Sequence, residues 1–274
     1  INEALADAKG DPGKVVFVPS GDYLIDASLV VPKGAHLKGG GKMNTRLRLD
    51  DGVNAPVIMS DYELNRGTTI FARVTDLFVD GNAANQDSAD AHGIQWTANG
   101  YLGTSAATIF PEDYYGALQL NGYNHPVHTP NDREFWFDTY KDLQNLWIQN
   151  CKGDGVRLSG RAGISIQDVW CYTNHGRGFY CTYDTILINC VSGRSGYDGF
   201  YFPNSAVVAS GCKAWWAGFT GPIDATNAHG FHMRAHSVSL TACTAQDNYS
   251  SGFMFNTGSS NCIAVGCNAD SNSK

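Results

Sequence analysis

Charge is scarce in this 274-residue chain: Asp, Glu, Lys and Arg make up 16% of it and sum to −7. With no basic excess, no nucleic-acid partner is expected, because such a footprint is a cationic stripe. Long apolar runs are missing too. The longest, such as Val15 to Val18, fall far short of the roughly 20 residues a helix needs to span a bilayer, so no membrane insertion is expected. No CxxC pair occurs among the eight cysteines, which removes the usual close zinc-ligand spacing; no metal and no cofactor are expected. There is also no initial Met, basic n-region or apolar h-region before Ile1, and Lys274 falls inside a repeat, so a segment of a longer chain is expected. What the chain does have is 43% hydrophobic residues, 12% aromatics and 31 glycines. That is enough to bury a core, and the glycines lack the triplet period of collagen.

A repeat organises the glycines. GDGVRL (153–158), GRGFYC (176–181), YDGFYF (197–202), AHGFHM (228–233) and SSGFMF (250–255) share Gly at the third place and Val or Phe at the fourth. An earlier AHGIQW (91–96) has the same shape. Between them lie short strands ending in Cys: LWIQNC, DVWC, ILINC, VSLTAC and IAVGC. A period near 22 residues, built from short strands and Gly/Asn/Asp turns, is the pattern of a solenoid with one coil per repeat. Helical repeats need apolar spacing of three and four, and leucine-rich repeats a regular Leu frame; neither is present. Stacking coils about 4.8 Å apart turns equivalent positions into ladders. Val156, Phe179, Phe200, Phe231 and Phe253 form the expected inward ladder. Cys151, Cys171, Cys190, Cys212, Cys243 and Cys267 are expected to form a second column of small buried side chains, with disulfides or a metal site as the alternatives.

One all-β domain is expected over 1–274. Residues 1–10 read as an amphipathic helix with Ile1, Leu5 and Ala8 on one face, suited to cap the open end of a solenoid. N-terminal coils follow over 11–96, then an aromatic-rich insertion over 97–145, then regular coils over 146–274 with a lengthened loop at 213–228. Loops of that length in a compact fold are usually functional. Trp215, Trp216 and Phe219 in the second loop are expected either to stack on sugar rings or to pack as a flap or interface. Glu112, Asp113, Asp132, Glu134 and Asp138 in the first are weaker acid–base candidates.

Two outward columns carry the chemistry. The place before the repeated Gly reads Asp154, Arg177, Asp198, His229, Ser251 up the stack. The place after the ladder residue reads Arg157, Tyr180, Tyr201, His232, Met254. Two carboxylates some two coils apart, on the order of 10 Å, with Arg177 between them, suit the acid and base of an inverting glycosidase. Abstraction of a uronate C5 proton instead needs a base (His229, His175 or Tyr201) and a cation for the sugar carboxylate (Arg177 or Arg157). Each also has a plain reading: Asp before Gly is ordinary turn chemistry, and His on a solenoid turn is often only a surface residue.

The opening KVVFVPSGDYLIDASLVVPKGAHLKGGG and the later NC…GDGF-type coils resemble the pectate-lyase-like superfamily. The resemblance implies a single-stranded right-handed parallel β-helix with three sheets per coil, here with a short N-terminal cap helix and two inserted loops. It also implies secreted pectin- and glycan-cleaving enzymes or bacteriophage tailspikes and tail fibres as relatives. The NTD, DD, GHG and RIK motifs of pectin hydrolases and the aspartate cluster of calcium-dependent lyases are not reproduced, so no activity transfers residue by residue. The expected function is binding and cleavage of an extracellular or cell-envelope polysaccharide by a lyase or glycoside hydrolase. The alternative is a virion tail protein or adhesin that recognises host glycan without catalysis. The expected partner is a polysaccharide, the expected place extracellular or on a virion tail, and a homotrimer is among the expected assemblies.

Overall fold

A computed structural model provides the fold and describes residues 1–274 except 10, 12, 33, 62–71, 99–140, 221–225, 235 and 274. Segments this short, punctuated by Gly, Asn and Asp, cannot sustain long ladders within one sheet layer, and most coils instead carry three small strands, whereas Lys141–Gln149 and Val156–Tyr172 run on through corners. Phe200–Phe202, Val208–Ser210 and Lys213–Trp215 make one coil; Phe231–Met233, Ser239–Thr241 and Thr244–Gln246 make the next. Each strand pairs in parallel with its counterpart, Phe200 with Phe231, Val208 with Ser239 and Lys213 with Thr244. The result is a parallel β-helix.

Single left-handed residues turn the chain at the corners. In the first of these coils they are Ala206 (φ 63°), Gly211 (φ 64°) and Trp216 (φ 53°); in the next, Ser237, Ala242 and Asp247 at φ 53–57°. A lone left-handed residue bends the backbone sharply between extended stretches, at a steric cost that the stacked strands offset.

The inward ladder is in register through eight levels: Leu29, Ile58, Ile94, Val156, Phe179, Phe200, Phe231 and Phe253. Phe179, Phe200 and Phe231 stack face to face with centroids 4.7 Å apart and rings within 3° of parallel; Phe253 continues at 5.1 Å. Burying each ring contributes about 1.5–3 kcal/mol. From Ile94 onward a glycine precedes each ladder residue, and close approach requires it. A Cβ on Gly199 would lie 2.7 Å from the Gly230 carbonyl oxygen and 2.9 Å from Ala214 Cβ.

The cysteine column needs correction. Cys190, Cys212, Cys243 and Cys267 do share one position, each directly before the third strand. Cys171 instead pairs with Ser192, two residues past Cys190, and Cys151 sits past its strand on the turn, donating its N–H to Asn174 Oδ1 at 3.0 Å. The Cys-ending segments therefore mix two faces. LWIQNC and DVWC belong to third strands, whereas ILINC, VSLTAC and IAVGC belong to second strands, whose Cys lies just past the corner. All eight thiols are free.

The helix Asn2–Asp7 buries Leu5, and Ala8 behind it, against the core, while Ile1 is exposed; Asn2 Oδ1 accepts the Val30 N–H at 3.2 Å. The strand Lys141–Gln149 already lies in register with Arg73–Thr75 and Phe78–Asp80. The aromatics between 101 and 140 and the five acidic residues named in that insertion lie outside the described residues.

Candidate functional site

Short turns before the first strand of each coil bring the chemistry-bearing side chains into a stack. In one of them Arg194 turns the chain left-handed, Gly196 donates its N–H to the Asn174 and Gly176 carbonyls, and Asp198 is delivered just before Gly199. The column reads His92, Asp154, Arg177, Asp198, His229, Ser251. Within it most side chains accept the backbone N–H of the residue one coil on. Asp154 N donates to His92 Nδ1 (2.9 Å), Arg177 N to Asp154 Oδ1 (2.7 Å), His229 N to Asp198 Oδ1 (3.0 Å) and Ser251 N to His229 Nδ1 (3.2 Å). These bonds satisfy donors that the turn leaves without a ladder partner.

Asp198 is the hub. It is fully buried, and burying a carboxylate is tolerable only with partners. Its Oδ2 lies 3.0 Å from His232 Nδ1 and 3.5 Å from Arg177 Nε. His232 therefore donates from Nδ1 to the carboxylate, and its Nε2 lies 3.1 Å from Asn256 Oδ1. The Arg177 guanidinium, itself partly exposed, lies over the Tyr201 ring at 4.3 Å and near Tyr180 and Tyr197. Tyr201 meets His232 edge-on at 5.1 Å, and its hydroxyl accepts from Arg234 Nη1 at 3.2 Å. Below, Arg157 bonds Asp154 Oδ2 at 2.9 Å and covers Tyr180 at 4.4 Å. Burial raises the Tyr180 phenol above its ordinary range, against the pull of Arg157.

Of the residues expected from sequence, Asp154, Arg157, Arg177, Tyr180, Asp198, Tyr201, His229 and His232 are thus joined in one network. Trp215 and Trp216 are not. They lie on the third strand and its corner, stacked on each other at 5.6 Å. Burial, and after it the charge of Lys152, holds the His175 imidazole below the ordinary value. Four partners went unrecognised. His92 stands at the foot of the column with its pKa lowered, first by burial, and AHGIQW had already displayed it in the repeat frame. Arg234 and Asn256 each lie three residues beyond a ladder Phe, one place outside the six-residue frame that was aligned. Tyr197 is in the frame, one place before Asp198.

Asp198, His229 and His232 offer ligand atoms within 4.8 Å of one another, a geometry that invites a cation. The donor set does not fit one. His229 accepts from Ser251 at Nδ1 and lies 3.2 Å from the Thr226 carbonyl at Nε2, so neither nitrogen is free. The Arg177 guanidinium beside Asp198 already supplies the positive charge.

Solenoid, capped end and a buried acid–histidine hub under an arginine–tyrosine face together define a pectate-lyase-like right-handed parallel β-helix. More particularly, the chain belongs to the family described as "Rhamnogalacturonase A/epimerase, pectate lyase-like", whose model matches residues 1–204. No curated protein sequence matches it. Among solved structures, the Azotobacter vinelandii mannuronan C-5 epimerase AlgE4 A-module is similar at 15% identity and TM-score 0.61, covering 99% of this chain and 71% of that one. ORF18 of Geobacillus virus E2 is similar at 11% identity and TM-score 0.63, covering 96% and 53%. The enzymatically active domain of bacteriophage CBA120 tailspike protein 2 is similar at 14% identity and TM-score 0.59, covering 95% and 38%. At these identities the likeness is one of fold. No helix among the described residues is long and apolar enough to cross a membrane.

Proposed function

We propose that the chain processes an acidic polysaccharide by removing the C5 proton of a uronate unit, with β-elimination as the reaction. The single observation that carries this reading is the Asp198–His232 pair beneath a face lined by Arg157, Arg177, Arg234, Tyr180 and Tyr201. A C5 proton becomes acidic only when the neighbouring carboxylate is neutralised, and a guanidinium fork does that best. Arg177 is the foremost binder, with Arg157 and Arg234 on either side.

In this reading Asp198 fixes the His232 tautomer and supports the positive charge that forms on the ring, and Nε2 acts as the base once substrate displaces its contact with Asn256 Oδ1. The C5–H bond breaks, its electrons form the C4=C5 double bond, and the C4–O bond breaks with protonation of the departing oxygen. In the same reading the Tyr201 hydroxyl, which accepts from Arg234, gives that proton. Reprotonation of C5 from the opposite face would give epimerisation from the same first step. Asp154 and His229 hold the turns on which these groups stand.

Hydrolysis by the Asp154/Asp198 pair is less well supported. Asp154 spends one oxygen on the Arg177 N–H and the other on Arg157, while both Asp198 oxygens are engaged out of reach of solvent. Polymers of this kind occur in extracellular matrices and cell envelopes, which supports an extracellular or virion-borne location. The test is incubation with a panel of polyuronates and neutral polysaccharides, following unsaturated-sugar absorbance and reducing ends together. Both should grow with a polyuronate; reducing ends without absorbance would support hydrolysis, and neither on any polymer, binding alone.

A further inference from the structure

A second surface lies on the outer face of the third strands, around the corner made by Arg194–Asp198. There Phe78, Trp147 and Trp170 occupy one register position on successive coils, and Tyr172 and Trp215 flank Gly193 in the neighbouring position. The rings touch in an unbroken chain. Phe78–Trp147 is 6.4 Å, Trp147–Trp170 5.2 Å, Trp147–Tyr172 6.3 Å, Tyr172–Trp215 6.4 Å, Trp215–Trp216 5.6 Å and Trp216–Phe219 5.9 Å. It climbs four coil steps, roughly 19 Å along the axis. Trp216 and Phe219, at its upper end, are 37% and 60% exposed.

Cations accompany the rings along the whole track. Arg46 lies over Phe78 (5.3 Å), Lys42 over Trp170 (5.7 Å), Lys213 over Trp215 (5.0 Å) and Arg194 over Phe219 (4.4 Å). Arg46 is also paired with Asp80 at the lower end. Four cations on one aromatic track stand out in a chain of net charge −7. Amphipathic rings offer apolar surface to a sugar, and the adjoining ammonium and guanidinium groups select for negative charge.

We propose that this track is a second binding surface for the acidic polysaccharide, holding polymer away from the reacting unit. The inference rests on the reading that the substrate is a polyuronate. Arg194 belongs to the track and Asp198 to the hub, on one turn, so a single polymer chain can run from one to the other.

The test is affinity electrophoresis through gels containing polygalacturonate, alginate or neutral dextran. It compares wild type with Trp216→Ala/Phe219→Ala, Arg194→Gln/Lys213→Gln and His232→Ala, each checked for fold by circular dichroism. Wild type should be retarded by a polyuronate and not by dextran, less so in high salt. Each double variant should bind at least fivefold more weakly, while His232→Ala stays retarded. Retardation of both double variants equal to wild type would overturn the proposal, as would equal retardation by dextran. So would a change in sedimenting mass with retardation unchanged, which would assign the track to contact between copies. Track-dependent retardation without turnover by wild type would sink the proposed reaction and leave the track standing.

Discussion

The inner ladder and the outer column are made by the same stacking of the same coils, yet they obey opposite rules. Inside, Phe179, Phe200 and Phe231 repeat one residue at one spacing, because identical flat rings fill identical slices of core. Outside, one residue over, Arg157, Tyr180, Tyr201 and His232 change at two of the three steps, because their mutual chemistry and not a uniform core slice constrains them. Repetition fixes where a side chain stands; variation decides what the face does. A solenoid thus supplies a ruler with a step of about 4.8 Å on which unlike groups are set at known intervals.

Breaking the ruler should have the largest effect. Phe200→Ala leaves a ring-sized cavity between two stacked neighbours and should lower unfolding free energy by about 3–5 kcal/mol, read by denaturant titration. A loss below about 1 kcal/mol would mean that the ladder is not the core. Next comes the hub. Asp198→Asn keeps the shape but turns an amide NH2 toward the His232 Nδ1–H and Arg177, costing about 1–3 kcal/mol of stability. If His232 is the base, turnover of polyuronate should fall by about 100-fold or more in the same variant.

Titration separates the two regions further. The thiols of Cys151, Cys171 and Cys181 are pushed up by burial, and those of Cys212 and Cys243 first by hydrogen bonding within the thiol column. Their folded pKa values lie above the unfolded value of 9.0. The folded chain therefore holds more protons than the unfolded chain above that pH, and stability should be complete below it and fall as pH rises past it. His92 and His175 have the opposite shift, lowered by burial from 6.5, so their contribution is present above that pH and is lost as pH falls. Unfolding midpoints from pH 5 to 10 should thus trace a plateau with two falling limbs, and Cys212→Ala/Cys243→Ala should flatten the alkaline one. The smallest effect belongs to the outer face: Tyr180→Phe should change stability by no more than about 0.5 kcal/mol.

The inner ladder was legible from Ile94 to Phe253 because burial enforces repetition, and repetition is what an alignment of segments detects; Leu29 and Ile58 lack the preceding Gly and so carried no such mark. The corners were only half legible. Asn189 and Gly211 are the residues a left-handed turn favours, but Thr173, Trp216 and Ala242 do the same task with no such mark. With corners hidden, second and third strands looked alike, which is why Cys151 and Cys171 fell into the wrong column. At the hub, the frame placed Asp198 and His232 one coil apart, but not the bond between them. That bond depends on how the Asp198 oxygens are shared among His229, His232 and Arg177, a matter of side-chain direction that spacing does not encode.

The most direct measurement is exchange at C5 when wild type and Asp198→Asn act on a polyuronate in deuterated water, followed by NMR of the sugar protons. The account predicts loss of the C5 proton signal, as unsaturated ends or as deuterium at C5, with wild type and little of either with the variant. Chain shortening with C5 protons retained, or equal exchange by the two proteins, would contradict it.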